Sequence, residues 1–259
     1  MKVTLIAHTP EPEKVVATAA KLCYSNSDIA TLADGLTEDK ITSFVRMLAE
    51  IGHESPLEHV SFTFGIEGVS RSLTHQLVRH RIASYSQKSQ RYVAENNFEA
   101  IAPREIEQNV QAFRVFQETM SVIKDAYGEI ADILTEDFMK EYMQEGCTEA
   151  EARKKASKKA AENARAVLPN ACETKIVVTM NVRSLLNFFK HRCCNRAQEE
   201  IRELAMRMYE ICYGVAPNLF VNAGPSCVTE GKCHEGKMYC GRANDVINRF
   251  TDIKIATAK

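Results

Sequence analysis

The feature that most constrains the fold is a long run of helical periodicity in the middle of the chain. Large apolar residues recur every three or four positions over residues 110–138, which predicts one long helix with this stripe in the core. A second helix is predicted to begin at Thr148, which forms a capping box with Glu151. Every fourth residue from Ala152 to Ala164 is alanine, so this helix is expected to pack closely against another.

Shorter elements flank the two helices. Apolar runs predict strands over residues 3–7, 60–66 and 175–180, and helical spacing predicts helices over 11–23, 41–51, 70–80, 183–192 and 196–213. This pattern is typical of an α+β fold, with a mixed sheet flanked by long helices. We predict one catalytic α+β domain over residues 1–220, with a helical insertion over about residues 105–165, and a cysteine-containing tail over 221–259.

The charge balance argues against a globally basic nucleic-acid-binding protein. The chain has 33 Lys and Arg residues against 34 Asp and Glu residues, so any contact with a polyanion must be local. Its first apolar run is too short for a signal peptide, and no run reaches the roughly 18 apolar residues of a membrane span. We therefore expect a cytoplasmic protein without a nucleic-acid or membrane partner. Its nine cysteines are expected to be reduced thiols or metal ligands.

One segment departs from this charge balance. Residues 68–94 contain five Lys or Arg residues and no acidic residue. Such a segment repels itself unless an anion neutralises it, and arginines beside hydroxyl groups are the donors that hold phosphate oxygens. A solvated basic face is the simpler alternative. However, Arg79 to Arg81 directly follow a predicted helix and precede small hydroxyl residues and glutamines, which favours an anion-binding loop.

The same segment resembles the signature of flavin-dependent thymidylate synthases. Arg-His-Arg at residues 79–81 is followed, at the spacing of that family, by Ser84, Ser89 and Arg91-Tyr92. Two further blocks are similar to the family. One is residues 53–59, in which two histidines flank Glu-Ser-Pro-Leu-Glu, and the other is residues 165–196, which carry Asn181, Arg183, Asn187 and Arg192 in the order of the family.

The resemblance implies the fold of this family and an FAD-dependent methyltransferase activity. The substrate would be dUMP, methylated at C5, with methylenetetrahydrofolate as the carbon donor, FAD as the cofactor, and NADPH or NADH as the hydride source. It also implies a homotetramer with active sites shared between subunits. A flavin reductase without methyl transfer is kept as an alternative, as is an RNA-binding module that stacks bases on Tyr85 and Tyr92.

The resemblance also implies a set of site residues. Arg192 would stabilise charge on the uracil ring, His53 would lie at the flavin and folate side, and Ser89 completes the catalytic set. A nucleophilic role for Ser89 is disfavoured, because no His-Asp partner is evident. The implied FAD-binding residues are Ser55, Glu58, Arg79, His80, Arg81, Gln87, Asn181, Arg183 and Asn187. The implied dUMP-binding residues are Gln76, Arg79, Gln87, Ser89, Gln90, Arg91, Arg165 and Arg192.

No metal ligand is included in the prediction. In residues 53–59, Pro56 breaks the His-Glu-x-x-His register of zinc enzymes. In the tail, Cys227, Cys233 and Cys240 are separated by five and six residues, unlike the usual C-x-x-C pairs, so zinc is left there only as an open alternative.

Overall fold

The computed structural model describes residues 1–257, which form a small sheet and a larger number of helices. The strands are β1 (Lys2–His8), β2 (Ser61–Ser70), β3 (Ala83–Gln87) and β4 (Glu173–Asn181). The α-helices are α1 (Pro12–Leu22), α2 (Ile29–Asp34), α3 (Glu38–Ile51), α4 (Arg71–Leu77), α5 (Arg104–Glu107), α6 (Val110–Gln144), α7 (Glu149–Ala164), α8 (Val182–Arg192), α9 (Glu199–Val215), α10 (Ser226–Thr229) and α11 (Ala243–Thr257). Short 3₁₀ turns occupy Ser55–His59, Arg165–Val167 and Gly236–Met238.

The sheet has the strand order β1-β2-β4-β3. Strands β2 and β4 are also joined by side chains, since the hydroxyl oxygens of Thr63 and Thr179 are 2.9 Å apart. Alternate residues of β2 face the core, and Phe62, Phe64 and Ile66 are all buried. The predicted α+β class is confirmed, with a sheet that is small and antiparallel.

The chain forms two compact units. The first comprises residues 1–66, 76–85 and 177 onward. Its core includes Phe189 of α8, Tyr209 of α9 and Phe250 of α11, and the Tyr209 and Phe250 ring centroids are 4.5 Å apart. Helix α11 therefore contributes to this core. The sequence analysis described this segment only as a cysteine-containing tail and assigned no helix to it, although Val246, Phe250 and Ile253 recur at helical spacing.

The second unit comprises residues 67–75 and 86–176 and contains the helical pair α6 and α7. The capping box of Thr148 and Glu151 and the burial of the alanine ladder are confirmed. The prediction that the α6 stripe is core is wrong for most of its length, since only Tyr127 on this helix is buried. Helix α7 has only 16 residues and α6 has 35, so α7 is too short to cover the full length of α6.

Strand β3 was predicted as part of a loop. Its sequence, Ala-Ser-Tyr-Ser-Gln, contains small polar residues that score poorly as a strand, and its pairing with β4 overrides that preference. Helix α2 was also missed, because it is only six residues long. The predicted division of the chain at residue 220 stays a prediction.

Candidate active site

A cavity of about 560 Å³ lies within the first unit, and we call it the central pocket. It is surrounded by α3, the 3₁₀ turn at residues 55–59, residues 81 and 82, the first half of α8 and the segment 218–229. Its polar lining consists of His53, Glu54, Glu58, Arg81, Asn181, Arg183, Ser184, Asn187, Lys190, Asn218, Asn222 and Thr229. Six of the residues predicted to form the site therefore line one cavity: His53, Glu58, Arg81, Asn181, Arg183 and Asn187.

The first turn of α8 forms one wall of the central pocket. Strand β4 ends at Asn181, whose side-chain oxygen accepts a hydrogen bond of 2.8 Å from the backbone N–H of Ser184 and so caps the helix. The backbone N–H of Val182 donates to the carbonyl of Val60 at 2.9 Å, which fixes the start of the helix against the sheet. A helix N-terminus in a pocket wall favours a ligand that carries negative charge.

Arg183 is held at the same wall by two carboxylates. Its guanidinium donates to Glu54 at 3.1 Å and to Glu58 at 2.5 Å. The hydrogen bond to Glu58 is the main cause of the raised pKa of Arg183, followed by the charges of the two glutamates. The pair of acids therefore orients the guanidinium at the pocket edge.

His53 brings a buried polar atom to the pocket. Its Nε2 lies 3.2 Å from the hydroxyl of Ser55, whereas its Nδ1 is buried and has no hydrogen-bond partner among the residues that the structure describes. Buried polar atoms in native proteins are nearly always satisfied, so this nitrogen calls for a bound partner.

Arg192, at the end of α8, is held by His80, which lies 112 positions earlier in the sequence. Its Nε donates to Nε2 of His80 at 2.9 Å. The pKa of His80 is lowered to about 4, first by burial and then by the charges of Arg192 and His191. His80 is therefore neutral near pH 7, and its Nε2 is the acceptor that this contact requires.

Two aromatic residues fix the position of His80. Its ring makes an edge contact with Phe188 at 5.0 Å. The hydroxyl of Tyr85 donates to the backbone carbonyls of Leu77 and His80, both at 2.9 Å. Burial raises the pKa of Tyr85 to about 12, so it remains a donor at physiological pH. The end of α4 is thus tied to β3, and His80 is held against Arg192.

Two predicted ligand residues of the second unit are bound to neighbouring side chains. Gln87 donates from Nε2 to the hydroxyls of Thr74 at 2.9 Å and Thr174 at 3.3 Å. Gln90 donates to the sulfur of Cys172 at 3.6 Å. These contacts leave the amide oxygens of the two glutamines available as acceptors, since only their nitrogens are engaged in them.

Cationic side chains converge in the same unit. Arg91 pairs with Glu162 at 2.8 Å, and Arg165 donates to the backbone carbonyl of Glu162 at 3.2 Å. The hydroxyl of Ser89 accepts from the backbone N–H of Arg91 at 3.2 Å. Glu162 therefore brings two predicted phosphate ligands together, although they lie 74 positions apart in the sequence, at 91 and 165.

The predicted site residues fall into both units. In the first unit are His53, Ser55, Glu58, Gln76, Arg79, His80, Arg81, Asn181, Arg183, Asn187 and Arg192. Of these, Gln76 contacts Gln198. Burial lowers the pKa of Arg192, and the charge of Arg79 lowers it further. In the second unit are Gln87, Ser89, Gln90, Arg91 and Arg165.

The comparisons with known proteins agree on one family. The model of the thymidylate synthase complementing protein family matches residues 4–218. The flavin-dependent thymidylate synthase of Clostridium tetani is 55% identical over 246 residues, which are 95% of this chain and 95% of that protein. The protein of the same name from Geobacter sulfurreducens is 46% identical over 257 residues, covering 98% of this chain and 100% of the relative.

The chain belongs to the flavin-dependent thymidylate synthase family.

A solved structure of this family supports the fold. The flavin-dependent thymidylate synthase of Helicobacter pylori, solved with FAD and dUMP, aligns with a TM-score of 0.58 at 22% identity. The alignment covers 86% of this chain and all of that one. The predicted thymidylate synthase fold is therefore confirmed. No helix within residues 1–257 is both long and apolar enough to cross a membrane.

The structure also shows polar residues that the sequence analysis did not single out. Lys190 and Asn218 line the central pocket. Arg71, in the second unit, donates to the carbonyl of Lys88 at 2.9 Å, and its buried Nε has no hydrogen-bond partner among the described residues. Arg71 could have been found, because it is one of the five cations in residues 68–94. Asn218 follows a helix without a motif around it, so no sequence signal identified it.

Proposed function

We propose that this chain catalyses the reductive methylation of dUMP to dTMP. Methylenetetrahydrofolate supplies the carbon, and NADPH or NADH supplies the hydride through FAD. The observation that carries the proposal is family membership over nearly the full chain, at up to 55% identity to a flavin-dependent thymidylate synthase. The Helicobacter pylori relative was solved with FAD and dUMP, which supports the same ligands here.

The central pocket fits FAD as its ligand. Its volume suits a cofactor, the α8 N-terminus favours the negative charge of a diphosphate, and Nδ1 of His53 needs a partner. When bound, FAD supplies the hydride-transfer chemistry. The proposed FAD-binding residues are Ser55, Glu58, Arg79, His80, Arg81, Gln87, Asn181, Arg183 and Asn187, with His53 at the folate side.

The proposed role of Arg192 is to stabilise charge on the uracil ring as electron density moves to C5. The contact with His80 supports this role, because it holds the guanidinium in one orientation before the substrate arrives. Loss of such a preorganised donor costs about 10²–10³ in rate. The dUMP-binding set further includes Gln76, Arg79 and Gln87.

The dUMP phosphate is proposed to bind Ser89, Gln90, Arg91 and Arg165. Arg91 and Arg165 both contact Glu162, so they lie close enough to share one dianion. Ser89 then acts as a hydroxyl donor near the substrate rather than as a nucleophile.

We also propose a homotetramer with active sites shared between subunits. Helix α6 supports an oligomer, because Val115, Val122 and Ile133 are exposed on it and their spacing of seven and eleven residues places them on one face. A cytoplasmic location is proposed as well. All nine cysteines are unpaired, as expected in a reducing compartment.

Release of tritium from dUMP labelled at C5 tests the function. We expect release only when FAD, NADPH and methylenetetrahydrofolate are all present, and a fall of about 10²–10³ in rate for Arg192→Ala. Arg207→Ala is the matched control, since Arg207 is a half-exposed arginine of α9 that pairs with Glu203. No release from the FAD-loaded protein under any condition would contradict the proposal.

The same assay separates the alternative functions. Rapid NADPH oxidation that continues without dUMP and releases no tritium would favour a plain flavin reductase. Retention of FAD through purification would argue against the RNA-binding module, whose chemistry needs no flavin.

A further inference from the structure

A second cavity, of about 220 Å³, lies in the first unit beyond the end of α8, and we call it the cysteine cavity. Four cysteines line it: Cys194, Cys227, Cys233 and Cys240. Three of them come after residue 218, where the match to the family model ends, and Arg192, the proposed uracil-facing residue, lines the same cavity. Four thiols from separate segments in one cavity are the usual ligand set of structural zinc and of iron–sulfur clusters.

The loop that carries two of these cysteines has no apolar anchor. Across residues 231–240 every residue is exposed except Cys233 and Cys240. Even Met238 and Tyr239 are exposed, by 59% and 51%. The loop is attached by half-exposed contacts, which include an ion pair between Arg196 and Glu235 at 2.7 Å and a hydrogen bond of 3.3 Å from the backbone N–H of His234 to the hydroxyl of Ser226. A loop whose only inward residues are thiols is best explained if those thiols bind something.

The cavity also contains an unpartnered donor. Asn195 lines it, and its buried Nδ2 has no hydrogen-bond partner within residues 1–257. N–H groups that donate to coordinating sulfur atoms orient them and tune metal centres. Lys190 and Arg192 line the same cavity and supply positive charge to offset thiolates. Arg196 also lines it, but its charge is paired with that of Glu235.

We propose that the four cysteines of the cysteine cavity bind a thiophilic metal centre, either Zn²⁺ or an iron–sulfur cluster. Binding releases the thiol protons to solvent and leaves four thiolates on the metal. The centre is structural, since four protein ligands leave no open position on zinc. It replaces the sequence-based expectation that no metal is bound.

Metal binding requires the four cysteine side chains to move closer together. In the present structure, no three His, Cys, Asp or Glu side chains within the described residues are placed to hold a metal ion together. Each cysteine has one side-chain torsion to rotate, and Cys233 and Cys240 lie on the weakly attached loop, so moving them disturbs little packing. The loop is therefore expected to shift towards the metal when it binds, because metal binding is coupled to folding in small metal-binding segments.

Metal and sulfide analysis of the full-length protein tests the proposal. It is purified anaerobically without chelators, and separate samples are then reconstituted with Zn²⁺ or with ferrous iron and sulfide. We expect about one zinc per chain, or two to four irons with matching sulfide. The two arms distinguish the two centres, and neither readout depends on catalysis.

Variants locate the site. Cys233→Ser and Cys240→Ser should each lose most of the bound metal, whereas Cys23→Ser, at an exposed cysteine outside the cavity, should retain it. Circular dichroism checks that the variants fold, because both loop cysteines lie outside the core. Failure to bind either metal after reconstitution would overturn the proposal. Equal metal content in all variants would do so as well.

Discussion

His80 combines a half-buried position with a contact to a permanent cation, and this makes it sensitive to acid. Its pKa is lowered from 6.5 to about 4 in the folded chain, first by burial. As pH falls through 6.5, the unfolded state takes up a proton that the folded state does not bind until about pH 4. Folding stability should therefore fall between these values, because the unfolded state binds more protons.

Replacing His80 with a side chain that does not titrate should remove this contribution. We expect His80→Gln to lose less unfolding free energy than the native chain between pH 6.5 and pH 4, measured by urea denaturation at fixed protein concentration. Glutamine keeps an acceptor for Arg192. His75→Gln, which removes an exposed histidine of α4, controls for the loss of a histidine as such. Identical pH slopes for the native chain and His80→Gln would contradict the mechanism.

The contact between His80 and Arg192 also marks the limit of sequence reasoning at this scale. Both residues could be assigned by resemblance, but the hydrogen bond between them spans 112 positions. No local pattern reports on a contact of that separation. The neutral state of His80 was equally hidden, because it depends on burial against Phe188 and on the nearby cations.

At the scale of elements, the Asn181 cap links the stability of α8 to the central pocket. We expect Asn181→Ala to lower the unfolding free energy by about 1 kcal/mol, since it removes the hydrogen bond to the N–H of Ser184. It should also weaken FAD binding, because the same residue lines the pocket. Titration of the apoprotein with FAD, followed by flavin fluorescence, measures this second effect.

A second cap provides the matched control. Thr148 caps α7 in the second unit and lies outside the central pocket. Thr148→Ala should cost a similar ~1 kcal/mol of stability and leave FAD affinity unchanged. If the two variants weaken FAD binding equally, the effect of Asn181 is a general loss of stability rather than a contribution to the pocket.

Elements with strong local signals were predicted correctly. The capping box of α7, the start of α8 near residue 183 and the end of α3 at residue 51, before Gly52 with its φ of 70°, were all predicted from local patterns. Strand β3 could not, because its small polar residues become a strand only through pairing with β4. The α6 stripe was assigned to the core because spacing reveals which face is apolar but not what covers it.

At the scale of the whole molecule, the uncovered side of α6 bears on assembly. If it contributes to the proposed subunit contacts, Val122→Lys should shift the protein from a tetramer towards smaller species in light scattering after size-exclusion chromatography. Val122 is 66% exposed in the single chain, so the change should not harm its fold. A charged side chain in an apolar interface leaves a desolvated cation without a partner.

A neighbouring position controls for added charge. Gln117→Lys places the same side chain at an exposed polar site of α6, away from the line through Val115 and Val122. It should leave the oligomeric state unchanged. A native tetramer that is insensitive to Val122→Lys would exclude this face of α6 from the interface, and a native monomer would contradict the proposed assembly altogether.

The strand order has a consequence for synthesis on the ribosome. Strand β4 lies between β2 and β3 in the sheet, yet it is translated after both, because it begins at Glu173. Until the ribosome has passed that residue, the nascent chain holds β2 with one edge unpaired. Such edges invite aggregation. The sheet is therefore completed late in biosynthesis. Until then, the N-terminal half depends on rapid synthesis of β4 or on chaperones to avoid aggregation.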